Sequence, residues 1–136
     1  MVKIPDSLHH AINTESPERI CVIGTNGDDG FAQLSPRGSI MVFDDEHLAL
    51  WERAGSRPDG TKMSIYFRCR DALKTVVPGG VVKFFGTTAA YRSGPTYEKV
   101  WERLVPTEKN GDPEKKGYAI LIKVSRAEDL LKRPLG

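Results

Sequence analysis

The sequence predicts a mainly β fold, a small six-stranded antiparallel barrel with few short helices. Three observations carry this. Glycine (13 residues) and proline (9) interrupt the chain too often for a helix bundle or a coiled coil. The apolar residues gather into short runs rich in Val, Ile, Phe and Thr, each bounded by turn residues. Six such runs joined by short turns remove their exposed edges most economically by closing on themselves. At 136 residues the chain is one domain, 1–136, long enough to bury a core without a metal or disulfide staple.

The elements follow in order. Asp6 follows Pro5 and caps a short helix over residues 6–14, with Leu8 and Ile12 four apart on one face. Residues 19–25 form a nearly continuous apolar strand, closed by the turn cluster Asn26-Gly27-Asp28-Asp29-Gly30. A second strand starts at Phe31, bends at Pro36 and Gly38, and continues to Phe43. Asp44-Asp45-Glu46 turns it back into a third strand, residues 47–52. Residues 53–62 lack periodicity and read as a loop, 63–69 as a fourth strand, 70–80 as a crossing, and 81–91 as a long fifth strand. Gly94-Pro95 opens a helix in which Tyr97, Val100, Trp101, Leu104 and Val105 share one stripe, which predicts a buried Trp101. Residues 107–116 read as a solvated loop, 118–124 as the sixth strand, and 126–131 as a final helical turn.

Several functions are excluded by what is missing. Twenty basic residues against eighteen acidic leave a net charge of +2, far below the excess of a dedicated nucleic-acid binder. No run approaches the length of a membrane span, and Met1-Val-Lys-Ile-Pro-Asp lacks the apolar core of a secretion signal, so a cytoplasmic location is expected. Cys21 and Cys69 form no metal pattern and read as reduced, buried hydrophobes. His9 and His10 are adjacent and diverge on a helix, so no metal site is expected. No nucleophile elbow, Walker loop or dinucleotide fingerprint occurs, and no catalytic constellation is assigned.

Two segments are unusually polar for scaffold. Gln33-Leu34-Ser35-Pro36-Arg37-Gly38-Ser39 lies where apolar alternation should dominate. Trp51-Glu52-Arg53-Ala54-Gly55-Ser56-Arg57 closes the third strand. The turn at 44–46 brings Ser35–Arg37 and Gly55–Arg57 to one end of the same hairpin. Two guanidiniums, hydroxyls and glycine-exposed N–H groups suit a phosphate dianion. The alternative is a solvated edge bearing ordinary surface arginines.

In order along the chain, Asp29-Gly30, Ser35-Pro36-Arg37-Gly38, Asp44-Asp45-Glu46, Leu48-Ala49-Leu50-Trp51, Gly55-Ser56-Arg57 and Phe84-Phe85-Gly86-Thr87 resemble the pyridoxamine 5'-phosphate oxidase-like family of FMN-binding split barrels. The resemblance runs from about residue 6 to residue 131. It implies that the strand Ser35–Ser39 and the loop Ser56–Arg57 hold the phosphate and ribityl chain, with the backbone at Trp51 and Glu52 along the flavin ring. The cofactor-binding set it implies is Gln33, Ser35, Arg37, Gly38, Ser39, Trp51, Glu52, Arg53, Ser56, Arg57 and Thr61. It also implies a homodimer with flavin sites at the interface.

Two departures stand out. Pro58 follows Arg57 where the oxidases proper have a lysine of an Arg-Lys pair that opens a helix, so one phosphate ligand is either missing or replaced by Arg53, Thr61 or Lys62. The chain also ends at Gly136, where the oxidases' substrate-binding extension would begin, so vitamin B6 oxidase activity is not expected. The reading is an FMN-dependent oxidoreductase acting on an unidentified small molecule, with no nucleic-acid or membrane partner. The alternatives are a deazaflavin-dependent reductase and a non-catalytic flavin-binding or stress-response module. A haem-binding relative is the weaker variant, because no histidine sits in an apolar pocket.

Overall fold

The computed structural model describes residues 3–13, 19–38, 40–53 and 57–136. Helix α1 (Asp6–Asn13) precedes strands β1 (Arg19–Asn26), β2 (Ala32–Pro36), β3 (Met41–Val42), β4 (His47–Glu52) and β5 (Lys62–Cys69). A short helix α2 (Arg70–Leu73) and a 3-10 turn lead into β6 (Val81–Tyr91). Helices α3 (Gly94–Arg103) and α4 (Pro106–Gly111) then precede β7 (Tyr118–Asp129). The strands form one antiparallel, curled sheet in the order β2-β1-β5-β6-β7-β4-β3.

Among the described residues the sheet has seven strands, not six, because the expected second strand is two. Pro36 ends β2, and its missing N–H costs no bond to β1, because Arg37 N–H still donates to the Cys21 carbonyl. Up to it, β2 pairs with β1 at one edge of the sheet. After it, β3 pairs with β4 at the opposite edge, through Met41↔Ala49 and Val42↔Leu48. β2 and β3 therefore lie on opposite sides of the split in the barrel.

The inward positions alternate along every long strand, as a half-buried sheet requires. Cys21 and Ile23, Ile65 and Phe67, Val82 and Phe84, Leu48 and Leu50, and Ile120 and Ile122 make one core. Phe67 meets Phe84 edge-on at 6.0 Å. Ile4, Leu8 and Ile12 of the α1 segment close it from one side. Burial pushes the Cys21 thiol up to about 12, and raises Cys69 as well, so both cysteines behave as the buried hydrophobes expected of them.

Three local expectations are corrected. Residues 107–111 belong to α4 rather than to a loop, because Pro106 supplies a ready first helical position. Residues 126–129 extend β7 instead of forming a helical turn, because the long β6 offers Phe85, Phe84, Lys83 and Val82 as partners. The register shifts at Phe85/Gly86, and a Cβ on Gly86 would lie 2.4 Å from the Lys123 carbonyl oxygen, so only glycine fits that bulge. Third, Trp101 is half-buried, while Trp51 is the indole that is 1% exposed.

The outer faces of the sheet differ. Over β3, β4 and β7, α3 packs Val100 against Met41, Ala49, Trp51, Ala119 and Leu121, with Leu104 just beyond the helix. Over β2, β1 and β5 the outer face carries exposed apolar side chains. Leu34 is 72% exposed there, and Ile20 and Tyr66 are also open. A groove of about 470 Å³ runs across this face past Leu34, Ser64 and Phe85.

Candidate functional site

The site forms where the split brings β2 and β4 together. Ser35 pairs with Ile23, so it lies on the inner face of β2. Arg37, two residues on, shares that side by the period of two, and its backbone N–H donates to the Cys21 carbonyl at 2.9 Å. On β4, Leu48 and Leu50 point into the core. Glu52 continues the same alternation, which places a carboxylate where the pattern calls for an apolar side chain.

That carboxylate finds two partners. Arg37 Nη2 donates to Glu52 Oε1 at 3.0 Å, and Arg57 Nη2 donates to Glu52 Oε2 at 3.2 Å. Glu52's side chain is 8% exposed, Arg57's 20% and Arg37's 27%. The Arg57 backbone N–H donates to the Tyr118 hydroxyl at 3.4 Å, and Tyr118 is the ladder partner of Glu52. Arg92 stacks over the Tyr118 ring at 3.8 Å. The Nε atoms of Arg37 and Arg57 are buried and have no hydrogen-bond partner among the described residues. Such donors are costly to leave unmade, so acceptor oxygens that reached them would be stabilised.

The other expected residues fall in several places. Gln33 lies on the exposed part of β2 opposite Thr25, four residues from Arg37, or roughly 13 Å along a strand. Gly38 is exposed, with open space where a Cβ would stand. Ser39 and Ser56 lie outside the described residues. Trp51 turns its ring away from Glu52, onto Tyr97 and Trp101 at 5.3 and 5.0 Å, so only its backbone could border a ligand in this chain. β3 stops at the Ala49 level, and β7 alone of the described strands flanks Leu50–Glu52.

Neither Arg53 nor Thr61 reaches the arginine pair's carboxylate. Arg53 leans the other way, donating to the Gly111 carbonyl at 3.1 Å and pairing with Glu108 at 3.5 Å. Thr61 closes a turn on itself, its hydroxyl donating to the Pro58 carbonyl at 2.6 Å. That turn is tied to β6 by Gly60 N–H to the Thr88 carbonyl and Thr88 N–H to the Thr61 carbonyl. The sequence points to Glu52 only through its backbone and gives no sign of Tyr118 or Arg92. A charged residue in phase with Leu48 and Leu50 was the available signal for Glu52, because a buried carboxylate demands a cation.

No protein-family model matches the chain, and no curated protein matches it. Solved structures do. Group A Streptococcus HupZ is 20% identical, over 98% of this chain and 99% of that one, with a TM-score of 0.70. A Clostridium acetobutylicum protein related to general stress protein 26, of the pyridoxinephosphate oxidase family, is 16% identical over 95% and 91%, with a TM-score of 0.60. An FMN-binding protein from Syntrophomonas wolfei is 11% identical over 96% and 85%, with a TM-score of 0.62. The chain thus has the split-barrel fold of these proteins, the fold that the sequence resemblance implies.

Proposed function

We propose that this chain binds FMN, with Arg37 and Arg57 gripping the flavin phosphate, and works as an FMN-dependent oxidoreductase. The observation that carries the reading is the convergence of two guanidiniums whose buried Nε–H donors lack acceptors among the described residues. Terminal phosphate oxygens are the acceptors that a guanidinium fork fits best. Bound FMN would supply the electron transfer. The chain's own groups would bind and orient it: Ser35 beside Arg37, and the β4 edge at Leu50–Glu52, flanked on one side only, along the ring.

The same proposal includes a homodimer. The outer face of β2, β1 and β5 carries exposed apolar groups that a second copy would bury. Pro36 lies at the end of that face and Arg37 follows it, so the partner would border the phosphate site. Sedimentation is expected to show a particle of twice 15.1 kDa at micromolar concentration. A monomer there would remove the partner from the model.

Flavin fluorescence quenching tests the site. Arg37→Ala is expected to weaken FMN at least roughly tenfold, because a charge-assisted hydrogen bond is worth about 1.5–3 kcal/mol. Riboflavin, which lacks the phosphate, should bind poorly and be indifferent to the substitution. Equal FMN affinity in the wild-type and Arg37→Ala proteins would defeat the reading. A flavin carrier without turnover would share this site; reduction of the bound flavin by a nicotinamide donor, followed at the flavin absorbance band, separates carrier from enzyme.

A further inference from the structure

Resting on the flavin-phosphate reading, we infer that Glu52 is an internal counter-ion that competes with the incoming phosphate for Arg37 and Arg57. It thereby sets the affinity and the charge of the anion the site accepts. Both carboxylate oxygens are committed, one to each guanidinium, so Glu52 occupies the position between the arginines that a bridging anion would take. It cannot withdraw with its backbone, which is held in the β4–β7 ladder opposite Tyr118. Only its side chain can move aside.

The charge balance points the same way. Two guanidiniums and one carboxylate leave the triad at +1. A phosphate monoester carries about −1.5 to −2 at neutral pH, so it overshoots neutrality while Glu52 stays ionised beside it. Without the Glu52 charge, the two arginines match a dianion. The carboxylate also leaves work undone. Two oxygens in one plane satisfy the Nη2 donors and neither buried Nε, whereas a phosphoryl group brings three terminal oxygens. Because the triad is largely shielded from water, solvent screens this competition weakly.

Glu52→Gln keeps the size and an acceptor oxygen while removing the charge. Its affinities for FMN and for riboflavin are measured by fluorescence quenching at low ionic strength, beside the wild type. FMN is expected to bind roughly tenfold or more tightly, with riboflavin unchanged. Equal or weaker FMN binding by the folded Gln protein would overturn the inference and make Glu52 a positioning residue for the arginines. If the Gln protein does not melt cooperatively, Glu52→Asp carries the test. Its carboxylate keeps the charge but stands one methylene farther from both guanidiniums, so it competes less well; FMN should still bind more tightly than to the wild type, and equal or weaker binding overturns the inference. Inorganic phosphate separates this inference from the flavin reading. If FMN and riboflavin bind the wild type alike, the flavin reading fails. The counter-ion role then stands if phosphate raises the melting temperature of the Gln protein more than that of the wild type, and falls if it does not.

Discussion

Trp51→Ala is expected to lower stability by about 3–5 kcal/mol, the usual cost of emptying a buried aromatic site. Trp51 is 1% exposed and fills the layer between the sheet and α3. Its ring meets Tyr97 and Trp101 at tilted angles, so truncation would leave a cavity and two aromatic faces without their partner. The loss should also reach the site, because Glu52 is the next residue on β4. Urea unfolding at fixed protein concentration measures the cost. A change below about 1 kcal/mol would mean that α3 collapses onto the sheet without the indole. Trp101→Ala should cost less, since that ring is only half-buried.

Asp112 is the second large expectation. Its carboxylate accepts hydrogen bonds from Trp51 Nε1 at 2.8 Å, Gly117 N–H at 2.8 Å and Lys116 N–H at 3.0 Å. The approach is close enough that a Cβ on Gly117 would lie 2.5 Å from Trp51 Nε1, so glycine is required there. Asp112→Ala orphans at least two buried donors, each costing roughly 1–3 kcal/mol, for a total on the order of 3 kcal/mol. The hydrogen bond from the Trp51 indole, with those from the two backbone N–H groups, holds the Asp112 carboxyl below the usual carboxylate range despite its burial. A folded-state value below the unfolded one stabilises the protein above the unfolded value, about 3.9 for aspartate. That contribution is lost as pH falls through the lower folded value. Wild-type stability should therefore drop between neutral pH and about pH 3, and Asp112→Asn should flatten part of that drop. Parallel profiles for the two proteins, from urea titrations at both pH values, would show that Asp112 does not carry the acid limb.

How far the sequence could be read depended on the range of the interaction involved. The helix at residues 6–13 and the strands at 19–26 and 62–69 follow from local patterns, the four-residue spacing of Leu8 and Ile12 and the alternation of buried positions, while the strand at 47–52 is buried on both faces and follows from the turn at 44–46 that precedes it. The single hairpin expected around the turn at 44–46 does not bring Arg37 to Arg57: β2 pairs at the edge opposite β3, and the two arginines meet at Glu52 across the split. The split strand was not legible. Pro36 marks a break, but only the pairing partners at opposite sheet edges decide that β2 and β3 are separate. The end of β7 was not legible either, since Arg126–Asp129 has local helical character that pairing with β6 overrides.

By itself the sequence determined the mainly β class, the placement of most strands and the two polar segments, because alternation and turn chemistry are local properties of the chain. Tertiary structure alone decided which indole is core, since Trp51 and Trp101 both sit in apolar patterns and only the α3 packing ranks them. It alone decided that Glu52 bridges the two arginines and that Arg53 and Thr61 turn elsewhere. The physical reason is that a buried charge is settled by whichever opposite charge the fold brings within about 3–4 Å, and residues 37, 52 and 57 meet only once the sheet has curled.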